Sequence, residues 1–293
     1  DASLDGRALQ DVYAVDLESG RRALVAKRVR WSYEQSPDGS RFLYFADGHF
    51  HVADLTTATA ANITTSAPVS FVNVEDDHNV ASPPVPPIGW VRDGRSVLLS
   101  DGWDIWRVAA SGAAPAVNLT GNGRRDQIRY RRRVVLDPDE KGIDLAQPQL
   151  VEMYGEWSKK GGLARLTAER AGLTVLRWDD AAYSRVMKPR RADRLVFTRE
   201  SWKDYPEFHV AGLDLAGARR VTDEGGQRDA FHWMAGARLI DYTSDKGKKL
   251  QAALFLPAGY EPGKRYPTIV YIYEKLSDRL NRFRFADGTE LTA

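Results

Sequence analysis

The sequence has no cysteine. Disulfide scaffolds, thiolate zinc sites, iron–sulfur ligation and cysteine nucleophiles are thereby excluded, while the compartment stays open because oxidising ones also hold Cys-free proteins. Long apolar runs are missing: the longest, such as Thr268 to Tyr273, fall far short of the roughly 20 residues that a membrane helix requires. The opening Asp1-Ala2-Ser3-Leu4-Asp5-Gly6 lacks the basic and apolar regions of a signal peptide and does not begin with Met, so a processed or trimmed amino terminus is expected. Charge of one sign is missing as well, with 42 Lys and Arg against 40 Asp and Glu in 293 residues. With 43% hydrophobic residues the composition is that of a globular chain with a large core, not of a disordered one.

What is abundant is period-2 patterning. Arg41 to Ala46, Phe50 to Leu55, Ser96 to Ser100 and Asp104 to Val108 are short, rich in β-branched and aromatic residues, and bounded by Asp-Gly or Gly-Ala punctuation. Each reads as a strand. They recur as a unit: Ser36-Pro37-Asp38-Gly39-Ser40, a strand, Asp47-Gly48, a strand and Asn62-Ile63-Thr64 match Val91-Arg92-Asp93-Gly94-Arg95, a strand, Asp101-Gly102, a strand and Asn118-Leu119-Thr120. The step is 55 from Asp38 to Asp93 and 56 from Asn62 to Asn118. Asp-Gly supplies the positive φ of tight hairpins, and a repeated aromatic-rich meander of about 40 to 55 residues is the mark of a β-propeller blade.

Two looser copies follow. Arg132 to Asp137, Leu150 to Tyr154, Leu163 to Leu166 and Leu173 to Trp178 give one; Tyr183 to Met187, Arg194 to Arg199, Glu207 to Leu215 and Arg219 to Thr222 give the other. Val12 to Leu17 and Arg22 to Val25 read as outer strands of a further, partial blade. The expectation is a mainly β chain: four recognisable blades and a partial one over residues 1–235, an incomplete set that points to sequence missing at the amino end. After Phe231-His232-Trp233 the character changes. Leu239 to Pro257 reads as a hairpin with an Asp-Lys-Gly turn, then come a Pro/Gly-rich loop and Tyr266-Pro267-Thr268-Ile269-Val270-Tyr271-Ile272-Tyr273. That run is apolar on both faces, as a buried central strand of an α/β sheet would be. A second domain, truncated, is expected over residues 236–293.

The junction resembles the prolyl oligopeptidase family of serine peptidases, whose members include dipeptidyl peptidase IV and acylaminoacyl peptidase. The resemblance runs weakly through the blades and strongly from Leu239 to Tyr273. It implies a propeller followed by an α/β-hydrolase domain, peptide substrates for the full-length protein, no cofactor, and acyl transfer to a serine on a G-x-S-x-G elbow assisted by His and Asp. None of the serines here sits in that motif: Ser36, Ser111, Ser244 and Ser277 lie in Gln-Ser-Pro, Ala-Ser-Gly, Thr-Ser-Asp and Leu-Ser-Asp. The five histidines, His49, His51, His78, His209 and His232, all precede the hydrolase portion. The chain is therefore expected to carry no triad residue and to serve only in substrate gating or docking. One family position matches: Tyr273 stands where dipeptidyl peptidase IV-like members place a tyrosine that donates its hydroxyl to the oxyanion. The usual small glycine-containing turn is replaced by Glu274-Lys275-Leu276, and a structural tyrosine at a strand end is the competing reading. The paired glutamates that grip a free amino terminus have no match, since Glu152 and Glu156 are not adjacent. The alternative function is a stand-alone binding propeller resembling TolB, which has no use for the hairpin and apolar run.

Other constellations read more plainly. Arg124, Arg125, Arg129, Arg131, Arg132 and Arg133 crowd ten positions, but near-neutral net charge and strand alternation favour a solvated edge or a peptide-carboxylate lining over nucleic acid. Asp137, Asp139, Gly142 and Asp144 superficially resemble a calcium loop, yet the twelfth position is Pro148 instead of a bidentate Glu. Glu75-Asp76-Asp77-His78-Asn79 reads as solvated acid between strands, and His49 and His51 as cross-strand packing; no metal is expected. Trp103, Trp106, Trp157 and Trp202 either fill between blades or line a binding mouth. No membrane partner is expected.

Overall fold

The computed structural model describes residues 9–78, 81–167, 172–273 and 275–284. It is mainly β. Two compact units divide the chain: Asp1–Arg133, Pro138–Val151 and Arg165–Thr174 form the first, and Val134–Asp137, Glu152–Ala164 and Val175–Ala293 the second.

In the first unit, β1 (Gln10–Val15) and β2 (Arg22–Val29) pair as a two-stranded sheet. This is the partial blade. β3 (Trp31–Gln35), β4 (Arg41–Ala46), β5 (His49–Asp54) and β6 (Thr59–Asn62) form an antiparallel meander in chain order. β7 (Gly89–Trp90), β8 (Ser96–Ser100), β9 (Ile105–Ala109) and β10 (Val117–Asn118) repeat it. The central pairs are in register, Tyr44 opposite His51 and Leu99 opposite Trp106.

Strand β4 shows why such strands read as near-continuous apolar runs. Alternation sends Leu43 and Phe45 into a cluster with Phe50, Phe71, Trp90, Leu99 and Trp106, while Tyr44 joins Val25, Val29 and Ala53 on the other face. Both faces of the blade are thus buried, as in a sheet packed between neighbours. Phe50, fully buried, meets Phe45 edge-on at 5.0 Å and Phe71 at 6.1 Å. Burial of a side chain of this size stabilises by about 1.5–3 kcal/mol. Polar ties reinforce the packing: the Trp90 indole N–H donates to Glu34 O at 3.1 Å and Arg41 Nη1 to Gly94 O at 2.8 Å.

The third meander comprises β11 (Ile128–Arg133), β12 (Gln149–Gly155), β13 (Gly161–Thr167) and β14 (Gly172–Asp179), in that order. Its first strand starts four residues earlier than the sequence pattern suggests. The apolar signal of Val134-Val135-Leu136 is misleading, because Tyr130 is the buried anchor: its N–H donates to Trp103 O at 2.9 Å and its hydroxyl to Asn122 at 2.7 Å. A one-turn helix, α1 (Gly123–Asp126), leads in.

In the second unit, β15 (Ala182–Met187), β16 (Leu195–Glu200), β17 (Glu207–Ala211) and β18 (Arg219–Arg220) form the fourth meander. β19 (Gly236–Thr243) and β20 (Lys249–Leu256) then make a separate hairpin in unbroken register from Gly236 opposite Leu256 to Thr243 opposite Lys249. Among the described residues there are four four-stranded blades and two two-stranded sheets. This is a propeller fold. No helix among them is long and apolar enough to cross a membrane.

One expectation fails. Tyr266–Tyr273 carries no strand, and Ile269 and Ile272 are 77% and 86% exposed. A strand exists only when its N–H and C=O groups find a partner, and among the described residues no strand lies beside this run, so it stays irregular despite its β propensity.

Candidate functional site

The Asn-x-Thr endings after β6 and β10 build a recurring device. Asn62 Oδ1 accepts from Thr64 N and Thr65 N, and Asn118 Oδ1 from Thr120 N and Gly121 N, so each asparagine closes the turn after its strand. The threonine hydroxyl then reaches across the sheet. Thr64 Oγ1 accepts Phe50 N at 3.0 Å and contacts His49 Nδ1 at 3.2 Å; Thr120 Oγ1 accepts Ile105 N at 3.1 Å and donates to Asp104 at 2.5 Å. In the fourth blade Thr222 Oγ1 accepts Phe208 N at 2.9 Å and donates to the Glu207 carboxylate. His49, Asp104 and Glu207 therefore occupy one repeated position. The sequence showed the threonines; their partners differ in type, so no pattern could reveal them.

Glu207 opens onto a cleft of about 420 Å³ in the second unit, lined by Arg199, Lys203, Tyr205, His209 and Arg220 among others. Its second carboxylate oxygen accepts the Gly225 amide at 2.8 Å. Burial pushes the Glu207 carboxyl up, but the bonds from Thr222 and Gly225 together hold it below its ordinary value. Arg199 is braced by Asp179 at 2.9 Å and Asp204 at 3.5 Å, and Arg220 by Asp223 at 2.8 Å. The cleft thus presents fixed charges of both signs. It can orient a polar chain but pairs no nucleophile with a base.

Beside it lies a second built surface. Residues 275–284 run over the unit, including a 3-10 turn at Leu276–Arg279, with Leu280, Asn281 and Phe283 buried. Asp278 Oδ1 accepts the Tyr154 hydroxyl at 2.7 Å and lies 3.7 Å from Lys159 Nζ; Asn281 Nδ2 donates to Lys159 O at 2.9 Å. The buried Glu200 carboxylate takes Arg282 Nη1 at 2.7 Å on one oxygen and Phe283 N at 3.0 Å on the other. The Phe283 ring stacks on Trp233 at 4.7 Å and meets Tyr205 edge-on at 5.2 Å. Lys159 is almost fully buried, and desolvation pushes its ammonium pKa down against the pull of Asp278 and Glu156. Nothing in the sequence marked Glu200 or Phe283, because the contact joins residues some 80 positions apart.

Tyr273 is 63% exposed in the irregular run, and Glu274 falls outside the described residues, as does Asn79. His51 stacks on Tyr44 at 5.1 Å, the His78 ring contacts Asp76 at 3.1 Å and His209 Nδ1 faces Glu207 O at 3.0 Å; His232 is exposed. Of the arginine run, Arg129 bonds Glu75 at 2.6 Å and lies 4.1 Å over the Trp103 ring, Arg125 pairs Asp126 at 2.7 Å, and Arg133 pairs Glu140 and bonds Gln149. Asp144 is taken by Arg92 at 2.9 Å. Among the described residues no group of three or more His, Asp or Glu is placed to hold a metal ion. Trp106 is core, whereas Trp157 is 40% exposed.

No protein-family model matches the sequence, and comparison with curated proteins finds no match. Solved structures do match. A dipeptidyl aminopeptidase IV-like protein from Bacteroides ovatus superposes on 88% of this chain with a TM-score of 0.59 at 10% identity, and the chain spans 39% of that protein's length. Puromycin hydrolase aligns over 85% of the chain and 38% of its own, at a TM-score of 0.48 and 16% identity. TolB from Acinetobacter baumannii aligns over 84% of the chain and 57% of its own, at 0.38 and 13%. The likeness is one of fold.

Proposed function

We propose that this chain is the propeller portion, with the beginning of the hydrolase domain, of a serine oligopeptidase resembling the prolyl oligopeptidase family, and that it docks or filters peptides without cleaving them. The observation that carries this reading is the order of parts. Four-stranded meanders are followed by the separate hairpin β19–β20 and then by the Pro/Gly-rich connection to the apolar run. A stand-alone binding propeller has no need of those last pieces. The fold match to the Bacteroides protein over most of the chain supports the same view.

Under this reading residues 1–235 are propeller and 236–293 begin the hydrolase domain. Acyl transfer needs a serine, a histidine within hydrogen-bond reach of it, and donors for the oxyanion. The histidine contacts seen here go to Thr64, Asp76, Glu207 O and aromatic rings, none of which is a serine hydroxyl. Tyr273 is the residue that would lend a hydroxyl to an oxyanion once the triad is supplied. The test is an active-site fluorophosphonate probe on the purified chain. No labelling is expected; stoichiometric labelling would overturn the reading.

A further inference from the structure

We propose that the surface formed by Glu200, Tyr205, Trp233 and the β12–β13 turn is a peptide-docking site, occupied in cis by residues 275–283, whose ligand is a peptide segment presenting a basic side chain followed by an aromatic one. The seated segment shows how such a ligand is read. Glu200 is buried and has both oxygens committed, one to the Arg282 guanidinium and one to the Phe283 amide. A buried carboxylate so placed demands both a cation and a backbone donor, because leaving either oxygen unpaired is costly. The next side chain enters an aromatic slot, stacked on Trp233 with the rings 15° from parallel and closed edge-on by Tyr205 at 70°. Upstream, Lys159 O takes Asn281 while Tyr154 and Lys159 Nζ hold Asp278. These are contacts to backbone, charge and ring in sequence, the grammar of peptide recognition.

The occupant is tethered. A segment joined to its own site competes at an effective concentration on the order of millimolar, so an outside peptide gains access only when the segment is displaced. The inference stands apart from the peptidase reading: fluorophosphonate labelling bears on that reading and leaves this one untouched.

The test is fluorescence anisotropy with a labelled peptide of the sequence of residues 275–283, titrated with the full chain and with the variant Arg282→Ala/Phe283→Ala. The variant strips the segment of its contacts to Glu200 and to the aromatic slot and keeps the walls, so the tethered segment competes less well and the peptide should bind at least about tenfold more tightly than to the unaltered chain. Adding Glu200→Gln should weaken that binding by about tenfold. Equal binding to both chains, no binding to a variant that still unfolds cooperatively in urea, or indifference to Glu200→Gln would overturn the proposal. If the double variant does not fold, hydrogen exchange of the unaltered chain decides. Millimolar peptide should speed exchange at the Phe283 amide, and unchanged exchange would overturn the proposal.

Discussion

Thr120 donates its hydroxyl to the buried Asp104 carboxylate at 2.5 Å while accepting the Ile105 amide at 3.1 Å. One side chain thereby satisfies a buried acceptor and a strand donor on the neighbouring β9. Thr120→Val keeps the shape and removes both bonds, and should cost about 1–3 kcal/mol in urea unfolding, whereas Thr120→Ser should cost much less. Equal losses in the two variants would show that the methyl group, not the hydroxyl, matters.

Gly142 sits at φ +88° where a β-carbon would fall 2.7 Å from Pro37 Cγ and 2.9 Å from Arg92 Cα. The close approach lets Ile143 bridge Val91 and bury itself, with Arg92 N donating to Ile143 O at 2.9 Å. Gly142→Ala should destabilise by about 1–3 kcal/mol, through the positive φ and the clash together. Gly121→Ala, at φ +75° with open space around it, should cost less in the same denaturation series.

Burial pushes the hydroxyls of Tyr33, Tyr130 and Tyr183 up to about 12. In the unfolded chain they ionise near the ordinary value of 10, so folding favours the neutral phenol. The stability this supplies is fully present below pH 10 and lost as pH rises from 10 to 12. Absorbance titration at alkaline pH should therefore show a second wave near 12 that coincides with loss of near-ultraviolet circular dichroism. Titration of all tyrosines in one wave at 10, with the fold intact, would contradict the burial of these three.

Much of the fold was legible because blade strands are local. Asp38-Gly39 and Asp47-Gly48 mark turns whose backbone does adopt positive φ, and the Asn-x-Thr endings mark where the first two four-stranded meanders close. Two things were hidden. The Tyr266–Tyr273 run has the composition of a strand, but pairing depends on a neighbour that composition does not reveal. The start of β11 was hidden because Tyr130 is flanked by Arg129, Arg131, Arg132 and Arg133, whose charge masks a buried position. The candidate surfaces were less legible still: Glu200, Glu207 and Phe283 acquire their roles only through contacts between distant segments.

The exposed apolar run carries its own expectation. Ile269, Val270 and Ile272 form a contiguous exposed patch, the kind that promotes association. Ile269→Lys/Ile272→Lys should raise the monomer fraction in sedimentation while leaving the urea midpoint within about 0.5 kcal/mol. An unchanged distribution would show that the run does not govern association.

The most direct measurement of the docking reading follows binding and cleavage together. A mixture of short fluorescent peptides incubated with the purified chain should be retained on it in part and recovered uncut by mass spectrometry. Recovery of cleaved peptides, or retention of none, would contradict a propeller that docks peptides without hydrolysing them.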